Sequence, residues 1–89
     1  MELLHEGLTD VIIKTFYEVY NELGYGFLER VYLNSLYLEL KSKGLNVEAQ
    51  RKIEVYYKGI EVGEYYADLI VENLVILELK ASRQYFSSF

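Results

Sequence analysis

Two acids and a base stand close together in the second half of the chain: Asp68, then Glu78 and Lys80 separated only by Leu79. Two carboxylates side by side can hold a hard divalent cation such as Mg²⁺ or Mn²⁺, supplemented by a backbone carbonyl such as that of Leu79 and by water. Such a cation polarises a phosphodiester and lowers the pKa of a bound water, while the Lys80 ammonium positions that water or stabilises the charge of the transition state. There is no cysteine, and His5 is the lone histidine, so a thiolate or polyhistidine site is excluded. The competing reading is a cross-strand ion pair near a sheet edge. From residue types alone the ion pair is favoured, because Asp and Glu-x-Lys are common.

Whether the three residues meet depends on the turn between them. Residues 60–80 read as a β-hairpin, and Glu78 and Lys80, two apart on a strand, emerge on one face. A two-residue loop at Glu72-Asn73 would pair Asp68 with Leu77 and send Asp68 and Glu78 to opposite faces. A three-residue loop, Glu72-Asn73-Leu74, with Asn73 left-handed, pairs Val71 with Val75 and sets Asp68 opposite Glu78. The second register is predicted. Ile70, Ile76, Tyr66 and Val62 would then surround the charges.

The remaining elements follow from hydrophobic period. Ile12, Phe16, Val19 and Leu23 recur at helical spacing, with Thr9-Asp10 as the helix start. Gly24-Tyr25-Gly26 breaks the helix. A second helix carries Leu28, Tyr32, Leu36 and Leu40 and ends at Gly44, with Lys41 and Lys43 in its last turn. The period then switches to two through Val47, Ile53, Val55 and Tyr57, reverses at Lys58-Gly59, and continues through Val62, Tyr66 and Ile70. Leu74-Val75-Ile76-Leu77 runs nearly continuously apolar, as in a strand covered on both faces. The predicted class is α+β: two N-terminal helices followed by a three-stranded antiparallel meander.

At 89 residues, residues 1–89 form a single domain near the size at which association often supplements the core. The net charge of −5 argues against strong non-specific nucleic-acid binding and leaves only a weak encounter. Acidic residues at the N-terminus and the lack of a long apolar run argue against secretion and membrane insertion, and point to the cytoplasm. The ten tyrosines read as half-buried core and interface positions.

The stretch Gly26-Phe-Leu-Glu29-Arg-Val-Tyr32 resembles the signature of the GxxExxY proteins, a branch of the PD-(D/E)XK nuclease superfamily. Glu39-Leu40, Gly44, Val47-Glu48-Ala-Gln50, Val55 to Gly59, Asp68 to Glu72 and Val75 to Ala81 fall in that family's order. The resemblance covers about residues 8–81. It implies a restriction-endonuclease-like αβββαβ core, metal held by Asp68 and Glu78, and Lys80 assisting attack on phosphate. Glu29 is either a further acid for the same metal or an acid favoured by the macrodipole in a first helical turn. Tyr32 reads as a packing or hydrogen-bonding residue. Gln50 either contacts substrate or satisfies buried backbone, and the second is favoured.

Two departures stand out. Tyr20 replaces the family's usual His, and His5, far upstream, reads as a surface or capping residue. The family's last helix and strand have no counterpart after Lys80, so the chain reads as a C-terminally truncated member. Its third strand would be a bare apolar edge, partly covered by Tyr85, Phe86 and Phe89, and a homodimer or higher oligomer is expected to cover the rest. Two functions follow: a metal-dependent hydrolase of nucleic-acid phosphodiesters, with the truncation casting activity into question, or a non-catalytic oligomeric interaction module derived from a nuclease fold.

Overall fold

The structure, a computed structural model, describes residues 5–80 and 83–89. Helix α1, Glu6–Leu23, buries Ile12, Phe16 and Val19 on one face. It starts ahead of the expected Thr9, which is itself buried on that face, and His5 at the N-cap position is exposed and makes no side-chain cap. Gly24, at φ 77°, ends the helix by donating its N–H to the Tyr20 carbonyl. Helix α2, Glu29–Ser42, buries Tyr32, Leu36 and Leu40 at four-residue spacing. Gly44, at φ 84°, closes it with a 2.9 Å bond to the Lys41 carbonyl.

Tyr32 ties the two helices together. Its hydroxyl donates to the Gly24 carbonyl at 2.7 Å, and its ring stacks on Tyr20 with centroids 5.4 Å apart. Tyr20 therefore serves as a packing residue between the helices. Of the ten tyrosines only Tyr32 is buried, while Tyr17, Tyr25, Tyr56, Tyr57, Tyr65, Tyr66 and Tyr85 are exposed, contrary to the expectation of half-burial.

The strands are β1 Val47–Tyr57, β2 Ile60–Val71, β3 Val75–Lys80 and β4 Arg83–Ser88. They form one antiparallel sheet in the order β1-β2-β3-β4. The α+β class holds, and the expected three-stranded meander has a fourth strand. Only two residues separate β3 from β4, and the tail satisfies β3's free backbone groups by pairing Val75 with Ser88 through Lys80 with Arg83. So β3 is an inner strand, and the bare edge from which association was argued does not exist. Among the described residues no helix lies between β3 and β4.

Val75, Leu77 and Leu79 pack with α1 and α2 in the main core. The opposite face carries a second cluster, Ala67, Ile70 and Ile76, with Ile53 packed against it. Strict alternation would put Ala67 on the face of Leu69, yet it joins Ile70. The change of face falls where Gln50 of β1 stands opposite Asp68 of β2: Ala49 pairs with Leu69 and Arg51 with Ala67, but Gln50 and Asp68 are unpaired. Gln50 has φ 55° and, among the described residues, is the only non-glycine with positive φ inside a strand. A left-handed residue at such a break bends the strand, as a bulge does. Beyond it, Ile53 and Ala67 cover the face that the helices leave open.

Replacing Tyr32 by Phe should lower stability by about 1 kcal/mol, the net value of one internal hydrogen bond, with little change in packing. Urea unfolding of the two proteins measures the difference.

Candidate active site

The loop between β2 and β3 fixes the register. Glu72 and Asn73 both take left-handed conformations, at φ 55° and 54°, and Leu74 donates its N–H to the Val71 carbonyl at 3.0 Å. Val71 pairs with Val75, Ile70 with Ile76 and Leu69 with Leu77, which is the three-residue-loop register. The next rung would set Asp68 against Glu78. There the ladder stops, and Asp68 Oδ2 accepts the Leu79 N–H at 2.9 Å. Asp68 is thus unpaired toward both neighbouring strands, with its carboxylate held in the gap by one backbone donor.

Glu78 is half-buried beside it. Partial burial, then the like charge of Asp68 and a hydrogen bond with its carboxyl, push the Glu78 carboxyl above the ordinary carboxylate range; Lys80 and a backbone hydrogen bond to Asp68 oppose this. Lys80 is exposed, two residues along β3. Tyr66 and Val62, expected beside the charges, are instead 58% and 61% exposed, so the apolar neighbours on that side are Ile70 and Ile76.

An open cleft of about 380 Å³ lies against this gap, lined by Glu29, Arg30, Leu33, Asn34, Gln50, Asp68, Leu79 and Lys80. The first turns of α2 form one wall and the broken rung forms the other. Glu29, Gln50, Asp68, Leu79 and Lys80 are therefore brought together, whereas Glu78 meets Asp68 without lining the cleft. Gln50 is exposed on the cleft wall rather than satisfying buried backbone. Arg30, Leu33 and Asn34 were not singled out from the sequence. Their i, i+3, i+4 spacing from Arg30 was the available signal, once α2's first turn is known to face the site.

The donor set is all oxygen, and the crowding that raises Glu78 is relieved by a cation placed between the two carboxylates, so Asp68 and Glu78 fit a hard divalent ion. Among the described residues no three His, Cys, Asp or Glu side chains stand close enough together to hold a metal ion, so Glu29 shares the cleft without completing a triad.

Residues 6–88 match the PD-(D/E)XK nuclease superfamily. The chain belongs to that superfamily. No curated protein and no solved structure matches it. Members of that superfamily typically use divalent metals. Among the described residues, no helix is long and apolar enough to cross a membrane.

The raised Glu78 sets a pH dependence. Where the folded state holds a proton that the unfolded chain has lost, stability falls as pH rises. The penalty is absent below the carboxyl's ordinary value and complete above its raised one. Glu78→Gln should therefore melt higher than the parent at pH 7 in EDTA, and the advantage should vanish below about pH 4. Melting curves across that range measure it.

Proposed function

We propose that this chain is a metal-dependent phosphodiesterase of nucleic acid, of the GxxExxY branch, acting in the cytoplasm. One observation carries the reading: the Asp68 carboxylate is fixed by the Leu79 N–H in an open rung, beside Glu78 and on a cleft wall shared with Lys80. Asp68 and Glu78 would hold Mg²⁺ or Mn²⁺, with the Leu79 carbonyl and water as further oxygen donors. When bound, the ion supplies Lewis-acid polarisation of the phosphodiester and a more acidic water. Lys80 presents its ammonium in the cleft, where it orients the attacking water and neutralises charge on the phosphoryl oxygens. The Leu79 N–H fixes the Asp68 rotamer, so that carboxylate needs no reorganisation during the reaction.

Metal at a hundredfold over its Kd should stabilise the fold by about 2.7 kcal/mol. Asp68→Ala should abolish this effect. Lys80→Ala should keep the stabilisation and lose about a hundredfold or more in cleavage rate. No melting shift with Mg²⁺ or Mn²⁺ in the parent would refute the reading.

A second reading, a non-catalytic module that assembles with a copy of itself, rests on the β1–β2 hairpin. Ile53 pairs with Tyr65, Val55 with Gly63 and Tyr57 with Ile60, giving one face without a charge. Tyr57 and Ile60 are 62% and 70% exposed on it. Lys52, Glu54, Glu61 and Glu64 lie on the other face, where Lys52 and Glu64 pair at 2.9 Å. Exposed apolar faces of this kind mark association sites. Sedimentation equilibrium at micromolar concentration should find a dimer that Tyr57→Lys with Ile60→Lys converts to monomer; a monomeric parent would end this reading.

A further inference from the structure

The sequence scatters its cations, but the fold does not leave them equivalent. Lys43 is paired with Glu18 at 3.1 Å, Arg51 with Glu48 at 2.9 Å and Lys52 with Glu64 at 2.9 Å. Lys41 and Lys58 lie over the rings of Tyr37 and Tyr57. Lys14, Arg30, Lys80 and Arg83 are exposed and, among the described residues, make no ion pair. Of these, Arg30, Lys80 and Arg83 come together. Arg30 and Lys80 line the same cleft from opposite walls, and Arg83 is the direct cross-strand partner of Lys80. Directly opposite residues of an antiparallel pair have Cα atoms about 5 Å apart, so the two side chains rise from adjacent points of one face.

Three cations held together cost electrostatic energy, which the Glu78 carboxyl, two residues from Lys80 on β3, offsets in part. An anionic ligand relieves that cost. Guanidinium groups bind phosphate oxygens through two parallel N–H donors. Asn34 and Gln50, both exposed on the cleft wall, add neutral donors between the charges.

We propose that Arg30 and Arg83 are phosphate-binding residues that, with Lys80 between them, hold three phosphates of a single nucleic-acid strand running from the cleft onto the start of β4 beside it. The inference deepens the phosphodiesterase reading and rests on it for the identity of the polyanion. A single strand fits better than a duplex. The cleft's volume of about 380 Å³ is small for a second backbone with its own charge.

The test is binding of a fluorescently labelled single-stranded oligonucleotide by anisotropy, in EDTA, so that it depends on neither metal nor cleavage. Release of counterions by three contacts to a single strand gives a slope of log affinity against log salt of about −2, or about a 20-fold loss between 50 and 200 mM. Arg30→Gln and Arg83→Gln should each flatten the slope by about 0.7, leaving a loss of about 7-fold over that range. Lys58→Gln is the control: it changes a cation at the hairpin tip, about 26 Å along the strand from Gln50, and should leave the slope unchanged. Circular dichroism melting verifies that each variant is folded. The proposal is overturned if the parent does not bind at 50 mM salt, if both arginine variants keep the parent's slope, if Lys58→Gln flattens it equally, or if duplex binds more tightly with a steeper slope. The two readings separate cleanly. Strand binding with the expected slopes, in a protein that shows no metal-dependent melting shift, keeps the phosphate row and removes the hydrolase; a metal shift with slopes untouched in both arginine variants does the reverse.

Discussion

The molecule turns on one rung of its sheet, where Gln50 stands opposite Asp68 without pairing. A backbone at φ 55° is uncomfortable for any residue but glycine, and strain of this kind costs on the order of 1–3 kcal/mol. Two consequences follow from the same bend. The outer half of the β1–β2 hairpin turns so that Ile53 and Ala67 shield Ile70 and Ile76, the sheet face that α1 and α2 leave open. The ladder also opens beside Asp68, leaving its carboxylate to accept a β3 N–H in place of a regular strand bond. Burial of the second face and exposure of the site therefore depend on the same distortion. A straight hairpin would lose both.

How much of this was legible in the sequence depended on how local the cause was. The helices were readable because each is amphipathic on its own, and Tyr32, Leu36 and Leu40 announce the buried side of α2 by spacing alone. The β2–β3 register was readable because it hangs on three residues, and the left-handed tolerance of Asn73 selects the loop. The Asp68, Glu78 and Lys80 grouping followed from that register. β4 was not readable, because Arg83–Ser88 has little strand character of its own and becomes a strand by satisfying β3's free edge. The tyrosines misled for a related reason. Tyr56-Tyr57 and Tyr65-Tyr66 each put one ring on either face of the hairpin, and period says which face a residue takes and not whether anything covers it.

Gln50 and Arg30 show the same boundary from the side of function. No pattern in Val47-Glu48-Ala49-Gln50 announces a left-handed residue in mid-strand; that conformation is imposed by the bend. Arg30 follows Glu29 in the first turn of α2, and only the packing of that helix beside the sheet makes it part of the cleft wall. Both owe their placement to contacts between elements distant in sequence, which tertiary structure alone defines.

The electrostatics of the cleft are opposed rather than neutralised. On one side, burial and the Asp68 carboxyl hold Glu78 above its ordinary titration range. On the other, Arg30 and Arg83 make, among the described residues, no ion pair of the kind that Lys43, Arg51 and Lys52 make, and Lys80 draws Glu78 back toward its ordinary range. Glu29 and Asp68 line the cleft beside Arg30 and Lys80, so acids and bases share it. A cation at the acids and phosphate oxygens at the bases would relieve the like-charge contacts on each side, and a metal-bound phosphodiester is a ligand that would supply both at once.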